Sequence, residues 1–244
     1  MKTSNNTFKR TEMKYIITKE QRDNLLNEIK SFISPDIHKA YTICNLYCDT
    51  DDSRLIRNSI DRPLYKEKIR SRSYGKANKE DKVFLELKKK FDGIVYKRRI
   101  SIKEAEVSSY FDGSSSDTSQ INKEINYFLK YYKTIKPKMY IAYDREAYFA
   151  TEDDTLRITF DTNILWRTKD LSLSSEIYGR SLLKNDEYVL EIKGSYAMPL
   201  WLSNALAKNK IYKSKYSKYG KAYIESVKEN LILNKERKEV SQYV

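Results

Sequence analysis

The chain has 244 residues, 40% apolar and 33% charged, with 47 Lys and Arg against 34 Asp and Glu for a net charge of +13. That apolar content excludes a disordered chain, and no run of about 18 apolar residues exists to span a membrane as a helix. One histidine, His38, and two cysteines exclude zinc clusters and His-dependent nucleophilic catalysis, while the basic surplus calls for an anionic partner: nucleic acid, acidic membrane or a polyphosphorylated small molecule.

Met1–Asn6 lacks the apolar core of a signal peptide. Phe8 to Ile17 reads as a strand, with Arg10, Glu12 and Lys14 on one face and Thr11, Met13, Tyr15 and Ile17 on the other. Thr18 and Gln21 form a capping box for a helix whose apolar stripe is Leu25, Leu26, Ile29, Phe32 and Ile33, with Pro35 beyond its end. Tyr41 to Cys48 is a second strand. Its two cysteines, Cys44 and Cys48, are separated by roughly 13 Å of extended chain, beyond disulfide reach, which points to a reduced, cytoplasmic protein. A short helix follows Asp49–Ser53 through Leu55 and Ile56.

Tyr65 to Tyr74 puts Lys66, Lys68, Arg70 and Arg72 on one face of a strand. Such a same-sign row is repulsive unless something anionic sits among the charges. Val83 to Lys89 alternates apolar residues with Glu86 and Lys88, and Phe91-Asp92-Gly93 turns the chain into a strand through Ser101. The parity of that strand is ambiguous, because Lys97, Arg98 and Arg99 are consecutive. Ser108 to Ser119 is a loop. Ile121 to Tyr132 is a helix, Lys138 to Phe149 a strand carrying Arg145, and Leu156 to Asp161 a strand carrying Arg157. A second loop region, 167 to 185, precedes the strand of Glu191 and Lys193. Met198 to Leu206 is helical. A basic turn with Lys215 and Lys218 leads into a last helix from Lys221 and a charged, fraying tail from Asn234.

Charged faces therefore recur on most strands, opposite apolar faces that need helices to cover them. A sheet of this kind can close on itself, so the expected fold is α+β: a closed antiparallel eight-stranded β-barrel with a polar lumen and helices packed on the outside. A guanidinium beside a phosphate at ~4 Å gains roughly 4 kcal/mol at an effective dielectric of ~20, so a ring of cations suits a triphosphate or polyphosphate with a divalent metal. No phosphate-binding glycine loop, dinucleotide fingerprint or RNA-recognition signature occurs, and no specific nucleic-acid partner is expected.

Nine blocks, in order, carry a resemblance: Arg10-Thr-Glu12-Met-Lys14, Leu46-Tyr-Cys-Asp49-Thr50, Lys68-Ile-Arg70-Ser-Arg72-Ser-Tyr74-Gly75, Phe84-Leu-Glu86-Leu-Lys88, Lys97-Arg98-Arg99, Tyr143-Asp-Arg145-Glu-Ala-Tyr148, Arg157-Ile-Thr-Phe-Asp161-Thr-Asn163, Leu190-Glu191-Ile-Lys193 and Lys215-Tyr-Ser-Lys218-Tyr. They resemble the catalytic domain of the vacuolar transporter chaperone (VTC) polyphosphate polymerases, within the CYTH-like triphosphate tunnel metalloenzymes, over roughly residues 7 to 228. The resemblance implies one tunnel domain at 7–233, followed by the tail at 234–244. It implies transfer of the γ-phosphoryl group of ATP to inorganic polyphosphate with Mn²⁺ or Mg²⁺.

By motif position, Arg70, Arg72, Lys88, Arg145 and Arg157 resemble the phosphate clamp, and Lys14, Lys68, Lys97, Lys193, Lys215 and Lys218 supporting phosphate contacts. Glu191 resembles the principal metal ligand. Glu12 and Glu86 are further candidates, for metal or for orienting neighbouring cations. The eukaryotic members also carry an inositol-phosphate-sensing domain and membrane helices, which have no counterpart among these residues, so sensing and export are not carried over. Two alternatives stay open: a metal-dependent triphosphatase and a non-catalytic polyphosphate-binding module.

Overall fold

In the computed structural model, which describes residues 11–92, 94–111, 119–195 and 197–241 (backbone alone from 233), the alternating stretches become ten antiparallel strands of one sheet. The chain runs β1 (Thr11–Thr18), α1 (Lys19–Ile29), β2 (Ile33–Asp49), α2 (Arg54–Asp61), β3 (Tyr65–Tyr74), β4 (Lys82–Phe91) and β5 (Ile94–Lys103). After a 3₁₀ turn come α3 (Val107–Phe111), α4 (Gln120–Tyr132), β6 (Lys136–Ala150), β7 (Arg157–Arg167) and β8 (Arg180–Ser181). The last elements are β9 (Glu187–Gly194), α5 (Leu200–Lys208), β10 (Lys213–Ser214) and α6 (Lys218–Ser241). The expected Arg10 and the turn residue Gly93 lie outside the described residues.

The sheet order is β10-β1-β9-β7-β6-β2-β3-β4-β5, with β8 added beside β7. This overturns the closed eight-stranded barrel. Among the described residues β5 and β10 are opposite edges, and no ladder joins them. The physical reason lies at the β10 edge, which has two strand residues before the chain turns at Ser217 into α6. A ladder cannot be propagated along so short an edge. The sheet instead curls into a trough whose seam is crossed by side chains: Lys88 Nζ of β4 donates to Glu12 Oε2 of β1 at 3.5 Å, and Lys68 Nζ of β3 to Ser217 Oγ at 3.3 Å.

The capping box forms as expected, with Gln21 N donating to Thr18 Oγ1 and Thr18 N to Gln21 Oε1, both at 3.1 Å. The helix stops at Ile29, however, so Phe32 and Ile33 leave its stripe and β2 begins at Ile33. Pro35 sits in that strand, where a register break between Pro35 and Ala40 tolerates its missing N–H. Burying Leu25 and Ile29, each stabilising by about 1.5–3 kcal/mol, fixes α1 with α5 on the outer face of β1, β7 and β9. Helix α4 covers the outer face of β3 to β5 through Ile125, Phe128 and Leu129.

One helix departs from the expected outside packing. Tyr219 and Ala222 of α6 pack with Ile43, Tyr47, Ile141 and Tyr143, residues of the concave face. A bulge on β7 makes this possible. Asn163 takes a left-handed φ of 48° where the β6–β7 register slips, which turns Ile164 and Trp166 toward the same cluster. Helix α6 therefore fills one end of the trough, and it runs as helix through the segment expected to fray.

Candidate functional site

Strand parity aims the charges at one another. The trough encloses a cavity of about 720 Å³, and among the described residues eleven cations and four carboxylates line it, a surplus of seven positive charges. Every residue expected in the clamp is there: Arg70, Arg72, Lys88, Arg145 and Arg157. So are Lys14, Lys68, Lys97, Lys193 and Lys218, and the carboxylates Glu12, Glu86 and Glu191. Lys215 is exposed and does not line the cavity, and Lys66 lies beyond the lining.

The consecutive cations of β5 are sorted by pleat. Lys97 and Arg99 face inward onto Glu86, and Arg98 faces outward, its Nε donating to Glu124 at 2.8 Å. Arg99 is a lining residue that the sequence reading left unassigned, although its parity with Lys97 is the signal that finds it. Glu86 is 2% exposed and fully engaged. Arg70 donates to it through Nε (2.9 Å) and Nη2 (2.8 Å), Arg99 through Nε (2.7 Å), and Lys97 Nζ lies at 2.7 Å. Burial opposes its charge, yet Arg70, Arg72 and Lys97 hold its carboxyl far below the usual range. Its oxygens are thus committed to aligning three cations, the second of the two roles the sequence left open.

Glu12 and Glu191 form a different group. Lys14 Nζ stands between them, 3.0 Å from Glu12 Oε1 and 3.7 Å from Glu191 Oε1. Lys193 Nζ is 3.1 Å from Glu191 Oε1, and Arg145 Nη2 3.4 Å from Oε2. Burial disfavours the Glu191 anion, but Lys193 and Lys14 keep it ionised well below the normal carboxylate range. No cluster of three or more His, Cys, Asp or Glu able to hold a metal exists among the described residues. The Glu12–Glu191 pair nevertheless fits a hard divalent cation that completes its shell with phosphate oxygens and water, since the Lys14 ammonium already marks a position that favours positive charge.

Arg145 and Asp161 were not recognised as a unit from sequence. Arg145 donates two parallel bonds to Asp161, Nε to Oδ1 at 2.6 Å and Nη2 to Oδ2 at 2.7 Å, and Lys218 Nζ lies 2.5 Å from Oδ2. Asp161 is fully buried, and its two bonds fix the plane of the guanidinium. Tyr47 and Tyr143 lie inside two of the nine blocks, yet residue type alone gives them no role in a chain of 21 tyrosines. Tyr47 accepts from Arg70 Nη1 at 2.9 Å and stacks on Tyr219 at 4.5 Å. Burial raises its phenol, but Arg70, Lys68 and Arg72 outweigh this and bring it down to about 8. Lys68, desolvated and beside Lys88 and Lys14, is likewise pushed down to about 8.

Arg157 stands at the end of the cavity away from α6. It donates to Asp36 Oδ2 at 2.7 Å and Tyr41 Oη at 3.0 Å, and its Nε is buried without a partner. Arg157 lines the cavity while Asp36 and Tyr41 hold one edge of its guanidinium in place.

Among solved structures, a provisional adenylate cyclase from Bacillus halodurans is 13% identical, with 87% of this chain and 95% of that one covered and a TM-score of 0.53. A Pyrococcus horikoshii protein is 14% identical (89% and 99% covered, TM-score 0.48). A Hippeastrum protein described as a provisional adenylyl cyclase with dominant triphosphatase activity is 14% identical (85% and 92% covered, TM-score 0.46). No match was found among curated proteins. The Bacillus likeness shows a shared fold. The VTC domain model matches residues 9–226, spanning every strand of the trough and all the lining cations, and the chain belongs to the VTC domain family.

Proposed function

We propose that the trough is the active site of a metal-dependent polyphosphate polymerase, which moves the γ-phosphoryl group of ATP onto a polyphosphate chain. The observation that carries this reading is the charge surplus. Eleven cations line the cavity against four lining carboxylates, and Asp161 and Asp36 pair with three of those cations from behind the lining, which leaves a surplus of five, to which a bound divalent metal would add two, whereas a nucleoside triphosphate brings about four negative charges. A second polyanion alongside the first, an acceptor chain, neutralises the remainder, and a site for triphosphate hydrolysis alone has no need of it.

In this reading a terminal oxygen of the acceptor chain attacks the γ-phosphorus, a new P–O bond forms, and the bond to the β–γ bridging oxygen breaks with its electron pair leaving on ADP. The protein contributes position and charge rather than a nucleophile. Arg70, Arg72, Lys88, Arg145 and Arg157 hold phosphoryl oxygens. Glu86 and Asp161 lock the guanidinium planes of Arg70 and Arg145 before substrate arrives, so little reorganisation is left for the transfer step. Lys14, Lys68, Lys97, Lys193 and Lys218 neutralise the chain. Glu191 with Glu12 would hold Mg²⁺ or Mn²⁺, which supplies charge neutralisation between phosphate oxygens when bound.

The test is incubation with ATP and Mn²⁺, with products resolved by gel and by phosphate release. ADP with acid-insoluble polymer is the expected result. Orthophosphate without polymer would identify a triphosphatase instead. Neither product, with polyphosphate binding retained, would identify a binding module.

A further inference from the structure

The cavity is chemically asymmetric along its length. Near α6 its walls carry Lys68, Lys88 and Lys97. Tyr41 lies six residues before Tyr47 on β2, so the opposite mouth is about 20 Å from the ring that stacks on Tyr219. That mouth is aromatic. Tyr74 closes β3 there and is 54% exposed. Its ring makes T-shaped contacts with Tyr41 at 5.6 Å and Phe84 at 6.0 Å, so two neighbours hold its plane while much of the residue stays exposed. Tyr41 is fixed in turn by the Arg157 bond.

We propose that Tyr74, steadied by Tyr41, is a stacking platform for the base of a nucleoside triphosphate, which makes this mouth the donor end. The proposal rests on the phosphoryl-transfer reading above and adds a base subsite to it. Phosphates have no π-face, and a chain of phosphates alone gains nothing from a half-exposed ring held at the lip of a cationic channel. A base does. The spacing agrees: Tyr74, Arg72, Arg70 and Lys68 share one face of β3 at intervals of about 7 Å. A base on Tyr74 therefore leads its phosphates straight onto the cationic rail. Stacking area then orders recognition, with purines ahead of pyrimidines.

Isothermal titration with ATP, CTP and inorganic tripolyphosphate, each with Mg²⁺, tests this on the wild type, Tyr74→Ala and Tyr74→Phe. Tyr74→Ala is expected to weaken ATP about tenfold, CTP less, and tripolyphosphate under twofold, while Tyr74→Phe keeps all three near wild type. The ring is exposed, so truncation leaves the fold intact, which a melting curve checks. Equal losses for ATP and tripolyphosphate, or no loss for ATP, overturn the platform while tripolyphosphate binding upholds the phosphate reading. A wild type that binds neither ligand overturns both.

Discussion

Lys88 on β4 reaches Glu12 on β1 at 3.5 Å, across a seam where, among the described residues, no ladder joins the two flanks of the sheet. In the proposed reading the contact joins a phosphate-holding cation to a metal-holding carboxylate, so phosphate or a bound cation would compete with it and closure of the seam would be coupled to occupancy of the site.

Arg157 and Arg145 should separate function from stability. Arg157 is part-exposed and its Nε has no partner, so Arg157→Ala should lower turnover at least a hundredfold and change unfolding stability by less than about 1 kcal/mol. Arg145→Ala should also cost roughly 3 kcal/mol in urea denaturation, because Asp161 keeps only Lys218 in a fully buried position. Wild-type turnover in Arg157→Ala or in Arg70→Ala would refute the assignment of the trough as the site.

Lys68 and Tyr47, both brought to about 8, make opposite predictions for binding and folding. Raising pH through 8 removes the Lys68 cation and ionises Tyr47, so tripolyphosphate binding should weaken. At pH 8 it should proceed with proton uptake, seen as a buffer-dependent calorimetric enthalpy. For the ligand-free protein the sign reverses. Both folded pKa values lie below the unfolded ones of about 10, so between pH 8 and 10 the unfolded chain holds more protons and stability from these groups rises with pH. Melting temperatures across that window, compared with Lys68→Met, check the assignment.

The two kinds of carboxylate should respond differently to metal. Glu191→Gln is expected to abolish metal-dependent turnover and chelation of the wild type to do the same. Glu86→Gln should leave Mn²⁺ affinity in the presence of tripolyphosphate within a few fold while lowering turnover, because it loosens Arg70, Lys97 and Arg99. Mn²⁺ titration followed by electron paramagnetic resonance distinguishes the two.

Asp49 carries a purely structural prediction. Its buried carboxylate accepts from the backbone N–H groups of Thr50, Leu55 and Ile56 and from Tyr219 Oη, so it caps α2 and tethers α6 at once. Asp49→Ala should cost roughly 3 kcal/mol by chemical denaturation, and Tyr219→Phe about 1 kcal/mol.

The strands and the lining were legible because period-two charge on β1, β3, β4 and β9 is a strong signal: Glu12, Lys14, Lys68, Arg70, Arg72, Glu86, Lys88, Glu191 and Lys193 all face the cavity. Alternation reports which face a residue takes, not what lies at the end of a sheet. Nothing in the pattern of Lys213–Ser214 announces an edge two residues long, so alternation alone predicts a closed barrel. Helix α6 shows the same limit. The sequence reading places Tyr219 in the basic turn and starts the helix at Lys221, and only the Asn163 bulge gives Tyr219 and Ala222 a concave surface to meet. Lys215 lies outside the lining for a related reason, since a motif position beside a short edge strand carries no parity with the sheet.

The trough resembles a book bound along its longest pairing, β2 with β6, with covers ending at β5 and β10. Side-chain contacts, not a ladder, close its open side: Lys88 with Glu12 and Lys68 with Ser217 on the seam, and Tyr219 of α6 against Tyr47 and Asp49 at one end. Covers so held are pinned at the α6 end and freer at the other, so in the proposed reading a polymer too long to thread would be laid in from the side at the end away from α6. Its phosphates, gripping cations on both covers, would then keep the book shut.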